Sequence, residues 1–225
     1  MTRFAFPPPA QSTVPVEGGD SVFPVRRILC VGRNYAAHAR EMGADTRDPP
    51  FFFAKPADAV IVGDQVPYPV ATHELHHEIE LVVALKSGGA NIAVEEAMGH
   101  VFGYAVGVDL TRRDLQAVAK AKSHPWDAAK GFDASAPIGA IVPADRAHPD
   151  GAITLSVNGQ LRQSGQIAAM IWTVPEIIAE ASKLWTLAAG DLIFTGTPEG
   201  VAAIGRGDRI EGAIEGVGSL AFTVV

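Results

Sequence analysis

The sequence has a single cysteine, no long apolar run and no cluster of basic residues, and each lack excludes a class of protein. Cys30 is the only cysteine among 225 residues, so no disulfide can form within the chain, and its apolar neighbours predict a buried side chain. No apolar run approaches the roughly 18 residues of a membrane-spanning helix. The net charge of −7 without a basic cluster argues against nucleic acid and anionic membranes as partners.

The first 25 residues are rich in proline and lack the apolar core of a secretory signal peptide. We therefore expect an irregular N-terminal arm over 1–25, then one domain over 26–225, in the cytoplasm. Charged residues make up 19% and apolar residues 48% of the chain, which is typical of a globular domain with a large core. No internal repeat or linker divides this domain.

The apolar pattern alternates between short strand-like runs and short helical stretches. Strands are predicted at 26–31, 59–62, 78–86, 101–108 and 192–195. Helices are predicted at 36–42, at 93–99, from a Thr111 cap onward, and over 173–184. The order of these elements predicts one mixed, strand-rich domain with short helices.

Two segments between the first predicted helix and the second predicted strand are distinctive. Residues 43–50 are polar and end in proline, so we expect a mobile loop. Phe51, Phe52 and Phe53 follow directly, and three consecutive aromatic residues are too apolar to be left in water. We expect all three to pack in the core.

The stretch from His76 to Leu85 begins with charged residues and continues as an uninterrupted apolar run, as a strand entering a core does. Side chains alternate along a strand, so Glu78 and Glu80 should point the same way, with their Cα atoms roughly 6.6 Å apart. Two neighbouring carboxylates at the mouth of a buried strand repel each other and need a compensating cation or a shared proton. A divalent ion with oxygen ligands is one remedy; an edge strand with two solvated glutamates is the alternative.

Asp109 ends another apolar run, Val106 to Val108, immediately before a predicted helix. A carboxylate at the end of a buried strand is a candidate metal ligand. The same position suits a helix cap, so both interpretations stay open.

Two further patches have candidate catalytic or binding residues. His38 and Glu41 are three residues apart in a predicted helix, where a carboxylate can orient an imidazole and raise its basicity; an exposed helical pair is the alternative. Thr197 lies in a glycine-containing segment, 195–200, whose amides and hydroxyls could bind a carboxylate. A plain turn explains that segment equally well, and it lacks the lysine and spacing of a phosphate loop.

Taken together, these patches resemble the fumarylacetoacetate hydrolase family, in particular its short acylpyruvate and fumarylpyruvate hydrolase branch. The similarity extends from about residue 26 to the end of the chain. Its motifs lie at residues 30–38, 53–56, 76–81, 103–114, 125–133, 157–159, 170–172 and 190–201. The longer members of the family have an additional N-terminal domain for which this chain has no room.

The resemblance implies an α+β fold, a mixed β-roll with flanking short helices, usually assembled as a homodimer. It also implies an Mg2+ or Mn2+ ion, with Ca2+ as a further option. The implied metal ligands are Glu78, Glu80 and Asp109. The implied catalytic residues are His38 and Glu41 on a lid, which activate water, and Lys130, which polarises the substrate. The implied substrate-binding residues are Arg113, Gln116 and Thr197, to which Arg33 is added as a candidate for a distal carboxylate.

The activity expected from this resemblance is hydrolysis of the carbon–carbon bond of a 3-acylpyruvate. The similarity in sequence over residues 31–38 and 104–116 favours 3-fumarylpyruvate, cleaved to fumarate and pyruvate as in gentisate breakdown. The small-molecule oxo-acid would be the only partner besides a second copy of the chain. The alternatives are decarboxylation of oxaloacetate, isomerisation or decarboxylation of a hydroxymuconate-type diacid, and a non-catalytic binding protein.

Overall fold

The computed structural model describes residues 3–35 and 48–225, and its centre is a mixed six-stranded sheet. The strands of this sheet are β3 (Arg27–Gly32), β4 (Phe51–Lys55), β8 (Ile79–Leu85), β9 (Val101–Val108), β12 (Val142–Pro143) and β15 (Asp191–Phe194). Their order across the sheet is β12-β9-β8-β15-β3-β4. Strand β8 therefore lies inside the sheet, and all seven of its residues are buried, as its continuous apolar sequence predicts.

A five-stranded sheet packs against one face of the central sheet. Its strands are β6 (Gln65–Val66), β13 (Ala152–Val157), β14 (Gln160–Gln166), β17 (Arg209–Ile214) and β18 (Gly218–Val224). Alternate residues of β8 divide between two cores: Leu81 and Val83 face the five-stranded sheet, whereas Val82 and Ala84 join the second core on the other face. This alternation follows from the two-residue period of a strand.

The remaining strands form small sheets around these two. They are β1 (Thr13–Pro15) with β2 (Val22–Pro24), β5 (Val60–Ile61) with β11 (Ala136–Pro137), and β7 (Leu75–His76) between β10 (Thr111–Arg112) and β16 (Ala203–Ile204). The described α-helices are α1 (Val94–Ala97), α2 (Arg113–Ala121), α3 (Asp127–Lys130) and α4 (Val174–Leu184). None of these helices has the length and apolar character needed to span a membrane.

Several sequence predictions are confirmed. The strands expected at 26–31, 78–86, 101–108 and 192–195 are present within one or two residues. At the start of α4 the backbone N–H of Thr173 donates to Glu176 Oε2 at 2.8 Å, as in a capping box. Cys30 is fully buried, and this burial raises the pKa of its thiol well above the ordinary range. The predicted burial of this side chain is therefore confirmed.

Four predictions need correction. The N-terminal arm is not irregular throughout, because β1 and β2 pair as an antiparallel ribbon whose Val14 and Phe23 are buried in the second core. The three phenylalanines do not all enter the core: they lie on β4, at the edge of the central sheet, and Phe51 remains 37% exposed. Thr111 does not cap a helix, because it pairs in β10 and α2 begins only at Arg113. The strand at 59–62 is shortened to β5.

The helix predicted at 36–42 lies outside the described residues, as does most of the loop expected at 43–50.

Candidate active site

A cavity of about 550 Å³ opens at one edge of the central sheet, the edge formed by the ends of its strands. The sheet topology explains why functional side chains converge there. Strands β3 and β15 run parallel, so both end at this edge. Strand β8 runs antiparallel to β15 and therefore begins at the edge, and β9, antiparallel to β8, ends there. Residues distant in sequence consequently line one cavity, together with side chains of β4, α2 and α3.

Glu78, Glu80 and Asp109 form an acidic triad at the inner end of this cavity. Each offers one carboxylate oxygen, and the three oxygens lie within 4.8 Å of one another. All three residues are buried, with exposed fractions of 7%, 2% and 0%. The Asp109 N–H donates to the Glu78 carbonyl at 2.8 Å, which holds the end of β9 against the start of β8.

The alternatives left open for these carboxylates are wrong. An edge strand with solvated glutamates is incompatible with β8, which has a strand on each side and buries both glutamates. A helix cap at Asp109 is incompatible with β10, which lies between Asp109 and α2.

Three cations surround the triad. Lys130 Nζ donates to Glu78 Oε2 at 2.8 Å and to Asp109 Oδ2 at 2.5 Å. Lys55 Nζ lies 2.8 Å from Asp109 Oδ1, and the Arg113 guanidinium donates to Glu78 Oε1. These contacts compensate Glu78 and Asp109, as buried charges require.

Glu80 differs from its two neighbours because no described lysine or arginine pairs with it. Its Oε2 accepts a hydrogen bond of 2.7 Å from the Gly196 N–H. Burial, followed by the charges of Asp109 and Glu78, raises the pKa of Glu80 well above the ordinary range. Although burial alone would raise the pKa of Glu78, Lys130 and Arg113 lower it. Glu80 is therefore the carboxylate whose charge the described residues leave least compensated.

The residues of the triad fit a divalent metal ion. Within the described residues Asp109 Oδ1 is buried and accepts no hydrogen bond, although Lys55 Nζ is nearby. Glu80 is uncompensated, and Asp109 Oδ1 has an ion-pair contact but no hydrogen bond, so the triad can accept one more cation. Because all the available ligand atoms are carboxylate oxygens, a hard ion such as Mg2+, Mn2+ or Ca2+ suits the site.

Lys130 is held firmly where it contacts the triad. Its carbonyl accepts hydrogen bonds from Lys55 Nζ and, at 3.0 Å, from Ser135 Oγ, and its ammonium lies 5.0 Å from the centre of the Phe53 ring. Although burial lowers its pKa, Asp109 and Glu78 raise it above the ordinary range, which favours the charged ammonium. The structure thus places this predicted catalytic residue on the triad carboxylates.

Arg113 and Gln116 lie on the first turn of α2, facing the cavity. Arg113 Nη1 donates to Gln116 Oε1 at 2.6 Å, and the other end of the guanidinium donates to Glu78. The side chain of Gln116 therefore fixes the orientation of the arginine. The structure brings both predicted substrate-binding residues beside the triad.

Thr197 also lines the cavity, and a buried glutamine, Gln163, sets the hydrogen-bonding direction of its hydroxyl. Gln163 Oε1 accepts from the Ile79 N–H at 3.0 Å and contacts His77 Nδ1 at 2.8 Å. Gln163 Nε2 donates to Thr197 Oγ1 at 2.8 Å and to the Pro198 carbonyl at 2.9 Å. Because an amide nitrogen only donates, the Thr197 oxygen must accept, and its own hydrogen is left for a ligand in the cavity.

Arg33 lies at the outer part of the cavity, directly after β3, with a left-handed backbone at φ 60°. The structure thus brings together Arg33, Glu78, Glu80, Asp109, Arg113, Gln116, Lys130 and Thr197. His38 and Glu41, the predicted water-activating pair, lie outside the described residues.

Sequence reasoning gave no role to two buried residues of the site. Lys55 ends β4, two residues after the last of the three phenylalanines, and a lysine that closes an apolar strand is a signal for a buried, paired cation. Gln163 lies in β14, where most side chains are exposed, and no sequence pattern distinguishes it from its neighbours.

Comparison with known proteins agrees with this geometry. The family model of the fumarylacetoacetate (FAA) hydrolase C-terminal domain matches residues 27–225. The crystal structure of fumarylpyruvate hydrolase from Pseudomonas aeruginosa in complex with Mn2+ and pyruvate is 50% identical in sequence, with a TM-score of 0.96 over 99% of each chain.

Two curated relatives have names that describe oxaloacetate chemistry. The mitochondrial oxaloacetate tautomerase FAHD1 of Rattus norvegicus is 44% identical over 202 residues, which cover 88% of this chain and 91% of that protein. The mitochondrial oxaloacetate decarboxylase of Dictyostelium discoideum is 41% identical over 196 residues, which cover 85% and 90%. The predicted α+β fold is confirmed, and the chain belongs to the fumarylacetoacetate hydrolase family of enzymes.

Proposed function

We propose that this protein is a metal-dependent hydrolase that cleaves the carbon–carbon bond of a 3-acylpyruvate, with 3-fumarylpyruvate as the preferred substrate. The observation that supports this most is the buried triad of Glu78, Glu80 and Asp109, open to a cavity that also contains Lys130 and Arg113. The likeness to a fumarylpyruvate hydrolase whose complex contains Mn2+ and pyruvate supports the same substrate class.

The triad would hold Mg2+ or Mn2+. The bound ion would supply Lewis-acid stabilisation of the negative charge on the departing pyruvate unit. Lys130 is a buried cation paired with two carboxylates of the triad, and we propose that it stabilises the same negative charge on a substrate oxygen.

Arg113, Gln116 and Thr197 would bind and align the substrate. Arg113 donates in a direction fixed by Gln116, and the Thr197 hydroxyl has a hydrogen free to donate. Donors of this kind suit the pyruvate carboxylate, which can only accept. Fixing the carboxylate at one end of the substrate places the scissile bond in a defined position.

The hydrolytic step needs a base that takes a proton from water. We assign it to His38, oriented by Glu41, as the resemblance implies. Water adds to the carbonyl carbon outside the pyruvate unit, and the bond between that carbon and C3 of pyruvate breaks. The electron pair stays on C3, which then takes up a proton, so the products are fumarate and pyruvate.

A second candidate function is a reaction of oxaloacetate. It is supported by the names of two relatives that are more than 40% identical to this chain. A metal ion held by the triad, together with Lys130, would stabilise negative charge on the oxo-acid in either reaction. Decarboxylation needs no attacking water, so His38 should be dispensable for it.

A substrate panel separates these candidates. Purified protein with Mn2+ should release equal amounts of fumarate and pyruvate from 3-fumarylpyruvate, measured by liquid chromatography, and EDTA should stop the release. The His38→Ala variant should lose about 100-fold or more of this hydrolysis, the range for a general base. Faster turnover of oxaloacetate than of fumarylpyruvate, with no fumarate release, would contradict the hydrolase proposal.

We also propose that the protein works as a cytoplasmic homodimer, as the resemblance implies. Sedimentation of the purified protein should give about twice the chain mass of 23.6 kDa. A value equal to the chain mass would contradict this assembly.

A further inference from the structure

The outer end of the cavity is formed by two aromatic rings. Phe51 on β4 and Trp126, immediately before α3, meet edge to face, with ring centres 5.4 Å apart and an angle of 89°. Phe51 pairs with Gly32 of β3, and a Cβ atom at Gly32 would lie 2.0 Å from the Phe51 ring. The ring therefore lies across bare backbone, and its position depends on the glycine.

A cation lies against each ring. Arg33 Cζ is 5.6 Å from the centre of the Phe51 ring, and Lys120 Nζ is 5.3 Å from the centre of the Trp126 ring. Both distances are within the range of cation–π contacts, and all four residues line the cavity. We call Arg33, Phe51, Lys120 and Trp126 the cationic wall.

The two charges of the cationic wall have no acidic partner among residues 3–35 and 48–225. Lys55, Lys130 and Arg113, at the inner end, each form an ion pair with the triad, whereas Arg33 and Lys120 form none. Burial, followed by the charges of Arg113 and Arg33, lowers the pKa of Lys120. The positive charges thus repel one another, and an anion bound between them would relieve that repulsion.

The two ends of the cavity therefore suit the two ends of a dianion. We propose that the cationic wall is a second anion-binding subsite, in which Lys120 and Arg33 bind the carboxylate at the far end of the acyl chain. The substrate class is then an acylpyruvate with a terminal carboxylate, in preference to one that ends in a methyl group. This inference rests on the proposed function, because it takes the pyruvate end of the substrate to lie at the triad.

The test compares Lys120→Gln with a matched control, Lys122→Gln, an exposed lysine at the end of α2. The substrates are 3-fumarylpyruvate and 2,4-dioxopentanoate, an acylpyruvate whose acyl group ends in a methyl. In Lys120→Gln, kcat/KM for the dianion should fall about 10- to 100-fold, the range for a hydrogen bond to a charged group. We expect most of this fall to come from a rise in KM. We also expect little change in kcat/KM for 2,4-dioxopentanoate, substantial rescue by Lys120→Arg, and no effect of the control.

Two outcomes would overturn the subsite. An equal fall on both substrates would show that Lys120 acts on the shared pyruvate end, and no fall on either would show an ordinary surface charge. A separate binding experiment covers the case in which the wild-type protein hydrolyses neither substrate. Calorimetric titration of the Mn2+-loaded protein should show weaker binding of fumarate in Lys120→Gln and unchanged binding of crotonate, which lacks the second carboxylate. Equal fumarate affinity in both proteins would contradict the subsite whatever the reaction.

Discussion

The inner and outer ends of the cavity both contain charged side chains, but these charges differ in burial and in ion pairing. At the inner end the acidic triad, Lys55 and Lys130 are buried and Arg113 is partly buried, and each of these three cations contacts a carboxylate. At the outer end Arg33 and Lys120 are exposed, lie against aromatic rings and have no carboxylate partner among the described residues.

The difference follows from the cost of removing a charge from water. A buried ion without a partner destabilises the fold by several kcal/mol, so the inner charges must be compensated by the protein itself or by a bound metal. Exposed charges remain hydrated and are stable without a partner. The inner end is thus suited to hold the metal permanently, and the outer end is suited to a ligand that comes and goes.

The largest effect is expected at Glu80, the least compensated carboxylate of the triad. Glu80→Gln keeps an acceptor for the Gly196 N–H but removes the negative charge. Mn2+ affinity should fall more than about 100-fold, because even the outer partners of metal ligands are worth 10- to 100-fold. Activity on both acylpyruvates should fall together, in contrast to the selective loss in Lys120→Gln. Calorimetric Mn2+ titration and steady-state kinetics measure the two effects.

The same variant should also change the melting temperature of the metal-free protein, in a direction that follows from the raised pKa of Glu80. Because the folded pKa of Glu80 is raised above its ordinary value of 4.5, its ionised form destabilises the metal-free fold as the pH rises above that value. In EDTA, Glu80→Gln should therefore melt at a higher temperature than the wild type at neutral pH, and the difference should shrink toward pH 4.5. Retained Mn2+ affinity, or a lower melting temperature at neutral pH, would show that Glu80 is not the uncompensated ligand.

A smaller effect is expected at Gln163, the buried hydrogen-bond partner of Thr197. Gln163→Glu replaces the amide that donates to Thr197 Oγ1 with an acceptor, so the Thr197 hydrogen is drawn away from the cavity. KM should rise about tenfold on both acylpyruvates, the equivalent of about 1.4 kcal/mol for one hydrogen bond. Steady-state kinetics measures this change.

Thr197→Val is the matched variant, since it removes the hydroxyl but leaves the contacts of Gln163 with Ile79 and Pro198. The double variant should be no worse than either single variant, because all three lose the same hydrogen bond. Fully additive losses would mean that Gln163 acts on the site by another route. Thr197→Ser, which keeps the hydroxyl, should remain close to the wild type.

Local patterns made Glu78, Glu80 and Asp109 of the inner end candidate ligands, and the family resemblance selected them over the alternatives of solvated glutamates and a helix cap. Glu78 and Glu80 begin an apolar strand and Asp109 ends another, and antiparallel pairing of those strands brings the three together. Their two-residue period and the apolar runs could be read without knowing the strand order.

The outer end could not be predicted in the same way. Phe51 resembles a core residue, and only its place on the edge strand β4, opposite Gly32, explains why its ring lines the cavity. Lys120 resembles an exposed residue of an amphipathic helix until Trp126 is placed beside it. Gln163 depends on four contacts made across the fold, so no local pattern could identify it.

The central claim is that Glu78, Glu80 and Asp109 together hold one divalent ion. The most direct test is anomalous diffraction from crystals grown with Mn2+. We expect one strong peak with a carboxylate oxygen of each residue within about 2.0–2.6 Å, the range for hard divalent ions. A structure with no peak there, in which Lys130 still bridges Glu78 and Asp109, would contradict it.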